Sequence, residues 1–374
     1  MALVDSRSMP PSRLAPEHAL GLAVVALALT VNAATLFFIN GKDVDFVVFY
    51  QEGRALLGHQ PLYADRSNMN SPALTALIFA PLALLPYRTA QSVWLVLSVI
   101  AVVLGGRLIV RELRLSRTQV LCAIAGLGMM HGSFQAWAIG QLTWPVLFYP
   151  ITKAWLAYRH GALDRAGAWL GIAVAAKPPL AFVAVLLPWP VWGVAGVISA
   201  AISMLTLPVT GWSAWLRWLE TVRQVDWLAR PFNASVWAAA ARLQVGRDTG
   251  RSIAVEDLPI VVIVLVITAL VGLSLQTLRA EGDRRFFLAG LFSTLASPLG
   301  WGYYLPLLAG PAIAAWPGHV GTLVLAGMLV RFGTSSDAHL VEDWLLFGSV
   351  LLAWWAWTHQ SITAGAPATE LNTR

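Results

Sequence analysis

Three stretches of the 374-residue chain hold side chains able to do chemistry. The first is "NGKDVDFVVFYQEGRALLGHQPLY", where Asp43 and Asp45 stand two residues apart just after a long apolar run. A carboxylate in such a place can take a proton from an attacking hydroxyl, the work of a general base. It can equally cap the helix that "FVVFYQEGRALLG" predicts, because Asp is a preferred N-cap. Phe46, Phe49, Tyr50, Leu56 and Leu57 share the predicted apolar face of that helix, which suits a membrane interface. Asp43, next to Lys42, reads as an ordinary interfacial charge.

The second stretch, "AGAWLGIAVAAKPPLAFVAVLLPWP", carries Lys177 in the middle of an apolar run. An ionisable group inside a span is costly and points to function. Snorkelling needs a place near a helix end. The carbonyls freed by Pro178 and Pro179 offer the ammonium a structural use instead, since each Pro removes a helical donor. If the Lys serves a ligand, a phosphate is its natural anion. The third stretch, "SPLGWGYY" at 297–304, is either a turn in an aromatic belt or an aromatic wall for the face of a sugar. "NAS" at 233–235 matches a glycosylation acceptor pattern. The seven His have no ligand spacing, and no paired-acid cage, phosphate-cradling loop or dinucleotide fingerprint appears. No metal, cofactor or soluble-nucleotide site is therefore expected.

The elements that must position these groups are membrane helices. The chain is 57% hydrophobic and only 12% charged, where a soluble domain carries about 25% charged residues. Apolar runs of helix-spanning length recur, and about 20 such residues cross a bilayer. The expected fold is an all-α polytopic membrane protein of about 10–12 transmembrane or re-entrant helices, in one domain over 18–358. A cytoplasmic arm at 1–17 and a cytoplasmic tail at 359–374 flank it. The eighteen Trp suit interfacial belts. The first apolar run is too long for a cleaved signal and is read as a retained anchor.

Expected spans are 19–39, 90–110, 119–138, 142–158, two half-helices meeting near Lys177, 191–209, 258–278, 286–297, 304–317, 319–332 and 341–357. The stretch 72–85 is short and bounded by Pro72, Pro81 and Pro86. It is read as a partial, re-entrant element, which is tolerated where it lines a protein cavity. This choice puts the cluster Arg107, Arg111, Arg114 and Arg117 on the cytoplasmic side, as the positive-inside rule requires. The net charge of +6 is then a topology signal, and no nucleic-acid partner is implied. The loops 40–71 and 211–257 become external. Asp45, Gln141, Asn233 and Trp301 fall on that outer side.

Six segments, in order, resemble glycosyltransferase family 87, integral-membrane enzymes of the GT-C type. They are "DFVVFYQEGRALLGHQPLY", "SPALTALIFAPLALLP", "GQLTWPVL", "AGAWLGIAVAAKPPLAFVAVLLP", "FNASVWAAAARL" and "SPLGWGYYLPLL". The family often has Tyr-Pro-Pro where this chain has Asn70-Ser71-Pro72, and often has His where this chain has Tyr303. The resemblance implies a GT-C-like bundle that takes a polyprenyl-phosphate sugar, mannose first and arabinofuranose second, to a glycolipid or glycan acceptor. The site would open on the external face of the plasma membrane. It carries over Asp45 as the catalytic residue. Lys177 and Gln141 are expected to hold the donor phosphate or lipid. Tyr50, Asn233, Trp301, Tyr303 and Tyr304 are expected around the sugar or acceptor. The rival readings are a secondary transporter or lipid-linked sugar translocase with Lys177 in its substrate site, and a non-catalytic scaffold.

Overall fold

The computed structural model describes residues 16–39, 45–64, 69–224, 226, 228–230, 233–246 and 251–315. The N-terminal arm up to residue 15, Asp43, the expected spans 319–332 and 341–357, and the tail lie outside the described residues. Within them the chain is an all-α polytopic membrane protein. Among the described residues the only bridge between extended segments is an isolated one, Asn233 with Trp301. Four helices among the described residues are long and apolar enough to cross a membrane: α1 (Pro16–Ile39), α5 (Tyr87–Leu113), α11 (Trp189–Thr210) and α14 (Ile260–Arg279). Large apolar side chains on them face outward, among them Leu27, Val96, Leu205 and Leu265. In water such a surface would be a liability; against lipid it is the solvated face.

Between these spans lie shorter elements, and they build the interior. After α1 comes α2 (Asp45–Leu57). Then a broken helix runs as α3 (Pro72–Leu74), a wide π turn over Thr75–Phe79, and α4 (Ala80–Ala83). Ser71 caps it through its hydroxyl, which accepts from the Leu74 amide, and Pro72 opens it. Pro fits the first turn because its missing N–H is unpaired there anyway. The whole stretch Pro72–Ala83 is about 18 Å long at 1.5 Å per residue, too short to cross a 30 Å core alone.

Three segments differ in detail from their expected form. The span expected at 119–138 is two helices, α6 (Arg117–Met129) and α7 (His131–Ala138), because Met130 takes an extended backbone between them. The break sets Gly132 against the Gly302 carbonyl, where a Cβ would stand 2.4 Å from the oxygen. The span expected at 304–317 begins as a 3-10 turn over Gly302–Leu308, which contains Pro306, before α16 (Ala309–Ala315). On α2 the expected Phe46, Phe49 and Tyr50 are buried, joined by Glu52 and Gly53 in place of Leu56 and Leu57. Leu56 is half-buried and Leu57 exposed. Gly53 wins its place because the Phe79 backbone presses on it too closely for any side chain.

The remaining elements close the bundle. A π turn over Thr143–Phe148 leads into α8 (Tyr149–Arg159), followed by α9 (Leu163–Ala176) and α10 (Ala181–Val185). The amphipathic α12 (Trp212–Arg223) follows α11, α13 (Val236–Val245) precedes α14, and α15 (Gly282–Ala296) follows it. Helices α9 and α11 pack closely. Gly167 and Gly171, four apart on α9, meet the Val191 and Ala195 carbonyls of α11. Small residues at this spacing let membrane helices approach closely enough for dispersion and backbone contacts to hold them. At the Glu112 end of α5, Arg159 bonds Glu112 (3.1 Å) and Asp283, and Trp155 Nε1 donates to Asp283 (2.8 Å). That network ties α5, α8 and α15 together roughly 27 Å along α5 from Trp94, and Trp94 lies beside the site described next.

Candidate functional site

Asp45 is the first residue of α2. The first amides of a helix need outside acceptors. Here the Phe46 amide donates to the Ile139 carbonyl at 3.2 Å. That bond sets the start of α2 against the turn that follows α7. Gly140 in this turn has φ +69, and a Cβ on it would strike the Phe37 and Phe46 side chains; the left-handed backbone and the crowding both require glycine. The Gly140 carbonyl accepts from Trp94 Nε1 at 2.9 Å, which fixes the turn to α5. The next residue, Gln141, then donates from Nε2 to the Asp45 carboxylate. Among the described residues this is the carboxylate's one hydrogen bond, so it does not cap its own helix.

Lys177 sits where α9 stops. Its amide still closes the helix on Ala173 at 2.8 Å, and then Pro178 and Pro179 end the ladder. Pro179 has no N–H to give the Ala175 carbonyl, which an uninterrupted helix would supply. The Ser71 hydroxyl donates to that carbonyl instead. A serine has one donor and two acceptor sites, so it serves this carbonyl while accepting from the Leu74 amide. The Pro179 carbonyl accepts from Ser293 of α15 at 2.9 Å. Serines from two other elements thus satisfy the Ala175 and Pro179 carbonyls on either side of the break, and the ammonium is not used for them. Lys177 is 4% exposed. Its Nζ donates to Asn70 Oδ1 at 3.4 Å and lies 5.7 Å from the centre of the Tyr304 ring. An ammonium has three donors, and one hydrogen bond is made among the described residues.

The two charges feel each other. Asp45 is half-buried, and the protein packed around it raises its pKa from 3.8 to about 6. The Gln141 hydrogen bond and the positive charge of Lys177 oppose the rise without cancelling it. Desolvation disfavours the charged form of a carboxyl, and a nearby cation favours it. A base titrating near 6 is ionised at neutral pH yet basic enough to accept a proton, the range in which general bases work best.

The aromatic block meets this pair from a third side. Trp301 and Tyr303 stack, with centroids 5.8 Å apart and planes 13° from parallel, and Tyr304 meets Tyr303 edge-on at 4.9 Å. Thr143 Oγ1 donates to the Tyr303 carbonyl at 2.8 Å, which joins the block to the segment after Gln141. Asn233 is buried and bridged to Trp301, and its Nδ2 donates to the Leu228 (3.2 Å) and Pro298 (2.6 Å) carbonyls. Both amide hydrogens are spent, so Asn233 braces the aromatic block and is closed to glycan attachment. Tyr50 packs against both Phe46 and Tyr87, and its hydroxyl donates to the Leu85 carbonyl at 2.8 Å. It ties α2 to the end of α4.

The structure therefore brings Asp45, Gln141, Lys177, Tyr303 and Tyr304 together. Gln141, expected beside Lys177, stands on Asp45. Three participants are absent from the sequence-based list: Asn70, Ser71 and Thr143. Ser71 is legible as a cap before Pro72, but its second bond, to a carbonyl 104 residues away, leaves no local signal. Among the described residues no three His, Cys, Asp or Glu side chains gather as a metal-holding group.

The sequence model of glycosyltransferase family 87 matches residues 71–298, more than half of the chain. The match spans Gln141, Lys177 and Asn233, while Asp45, Tyr50, Asn70, Trp301, Tyr303 and Tyr304 lie outside it. No curated protein and no solved structure matches the chain. A family match that runs from the Ser71 cap through the Lys177 break to Pro298, on an all-helical membrane scaffold, makes the chain a member of glycosyltransferase family 87 and a membrane glycosyltransferase.

Proposed function

We propose that this transferase moves a hexose, mannose by the family resemblance, from a polyprenyl-phosphate sugar to a glycolipid or glycan acceptor at the external face of the plasma membrane. Asp45 is the base. The acceptor oxygen attacks the anomeric carbon as its proton passes to the Asp45 carboxylate. The bond from that carbon to the phosphate oxygen breaks, and the polyprenyl phosphate leaves with the electron pair. One such displacement inverts the anomeric centre. Lys177 offsets the charge growing on the leaving phosphate, an electrostatic service that needs only a preorganised cation. The Trp301–Tyr303 stack and Tyr304 offer ring faces to the sugar.

The observation that carries this reading is the pairing of two opposite charges held by neutral amides. Gln141 donates to the Asp45 carboxylate and Asn70 accepts from the Lys177 ammonium. Each charge keeps its sign and strength for a ligand, one for a hydroxyl proton and one for a phosphate. A transporter would need Lys177 and tolerate loss of Asp45.

The test is purified protein offered a panel of polyprenyl-phosphate sugars with membrane lipid acceptors, and mass spectrometry of the products. One donor should support transfer with inversion. Asp45→Asn should lower turnover by about two to four orders of magnitude, the worth of general-base catalysis, while donor binding persists. Full turnover in Asp45→Asn, or no transfer from any polyprenyl donor, would overturn the reading.

A further inference from the structure

We infer that Asn70 is a positioning residue for Lys177, and that it aims the ammonium at the donor phosphate without neutralising it. The inference rests on the reading of Lys177 as the phosphate-holding cation. Asn70 is 2% exposed and reaches Lys177 across 107 residues of sequence. A lysine side chain is long, with many rotamers to lose when its ammonium is held in one place. An acceptor at one of its three donors fixes where the other two point.

The identity of that acceptor matters. A carboxylate at position 70 would form an ion pair with Lys177 and compete with the incoming phosphate. A carboxamide oxygen orients the ammonium and leaves its full charge. The Tyr304 ring at 5.7 Å acts in the same sense, since a ring face attracts a cation without cancelling it.

The backbone that carries Asn70 is held from three directions. The Tyr63 hydroxyl donates to the Asn70 carbonyl at 2.8 Å. The Trp218 indole of α12 donates to the Met69 carbonyl at 3.4 Å. Ser71 holds the Ala175 carbonyl two residues before Lys177. This last bond ties the aiming group directly to the helix break that presents its target. Tyr63 itself keeps a positive φ of 61, a strained conformation for a bulky residue, and its amide is held by Glu52 Oε1 at 3.0 Å. Backbone held at Met69, Asn70 and Ser71 is suited to setting the Asn70 side-chain oxygen in one place.

The experiment is a double-mutant cycle on the full chain in nanodiscs, read as affinity for undecaprenyl phosphate, with melting temperature recorded alongside. Lys177→Met should weaken binding strongly. Asn70→Ala should weaken it about tenfold, as expected when a hydrogen bond to a charged group is removed. Asn70→Asp, nearly isosteric, should weaken it further. Adding Asn70→Ala to Lys177→Met should cost nothing more, because the amide acts only through the ammonium. A general folding defect would instead add to the Lys177→Met loss. Additive losses, or wild-type affinity in Asn70→Asp, overturn the inference while leaving Lys177 as the phosphate ligand. Wild-type affinity in Lys177→Met overturns both.

Discussion

The Ser71 hydroxyl donates to the Ala175 carbonyl, the acceptor that Pro179 leaves without a helical donor. One bond thus caps the loss at the α9 break and ties the short Pro72–Ala83 helix to it. Lys177, two residues on, is released from backbone duty. Ser71→Ala should leave that carbonyl unpaired in the interior and lower stability by about 1–3 kcal/mol. Thermal unfolding in detergent reads the loss; an unchanged midpoint would show that another donor reaches Ala175.

The pH profile follows from Asp45. Its carboxyl titrates near 6 because burial outweighs Gln141 and Lys177. As a base it must be ionised, so kcat/KM should level off above about pH 6 and fall about tenfold per pH unit below it. Activity that stays flat down to pH 4.5 would remove Asp45 from the proton-transfer step.

The same titration has a stability consequence of known sign. Between pH 3.8 and about 6 the folded protein holds a proton on Asp45 that the unfolded chain has lost. Stability therefore declines as pH rises through that window, and the penalty is complete above it. Asp45→Asn removes the penalty. At pH 7 it should melt higher than wild type by the equivalent of about 1–3 kcal/mol, scaled down for the partial solvent access of the carboxyl. The gap should close toward pH 4. A variant less stable than wild type at pH 7 would show that the carboxylate is a net structural asset.

Packing between α9 and α11 sets where Lys177 stands. A Cβ on Gly171 would lie 2.7 Å from the Ala195 carbonyl and 2.8 Å from Ile198 Cβ. Gly171→Val should force the helices apart and cost about 1–3 kcal/mol as overpacking, with donor binding impaired as well. A variant that melts and binds like wild type would mean the helices slide without cost.

Topology is open to reporter fusions. A reporter after Arg114 should read cytoplasmic, and one inserted near Glu256 should read external. An external reading after Arg114 together with a cytoplasmic one near Glu256 would mean that Pro72–Ala83 crosses the membrane after all.

The sequence by itself determined the membrane class, since long apolar runs with few charges admit no other folded state. It also determined the helix break at Lys177, because two prolines after a lysine remove two successive helical donors. The start of α2 at Asp45 was legible from its amphipathic pattern. The family followed from the order of its blocks. The partners of the two charges were decided only by the tertiary structure. Gln141 reaches Asp45 across 96 residues and Asn70 reaches Lys177 across 107. Such meetings depend on how each helix is rotated and how deep it sits against its neighbours. In a membrane that information is nearly silent in the sequence. Lipid is as apolar as the protein interior, so α1 and α5 are hydrophobic on every side, and their periodicity does not separate the face that packs from the face that meets lipid. What sets the rotation is close contact at small residues, such as Gly167 and Gly171 against the α11 backbone, and hydroxyls that find carbonyls freed elsewhere, as Ser71 finds Ala175.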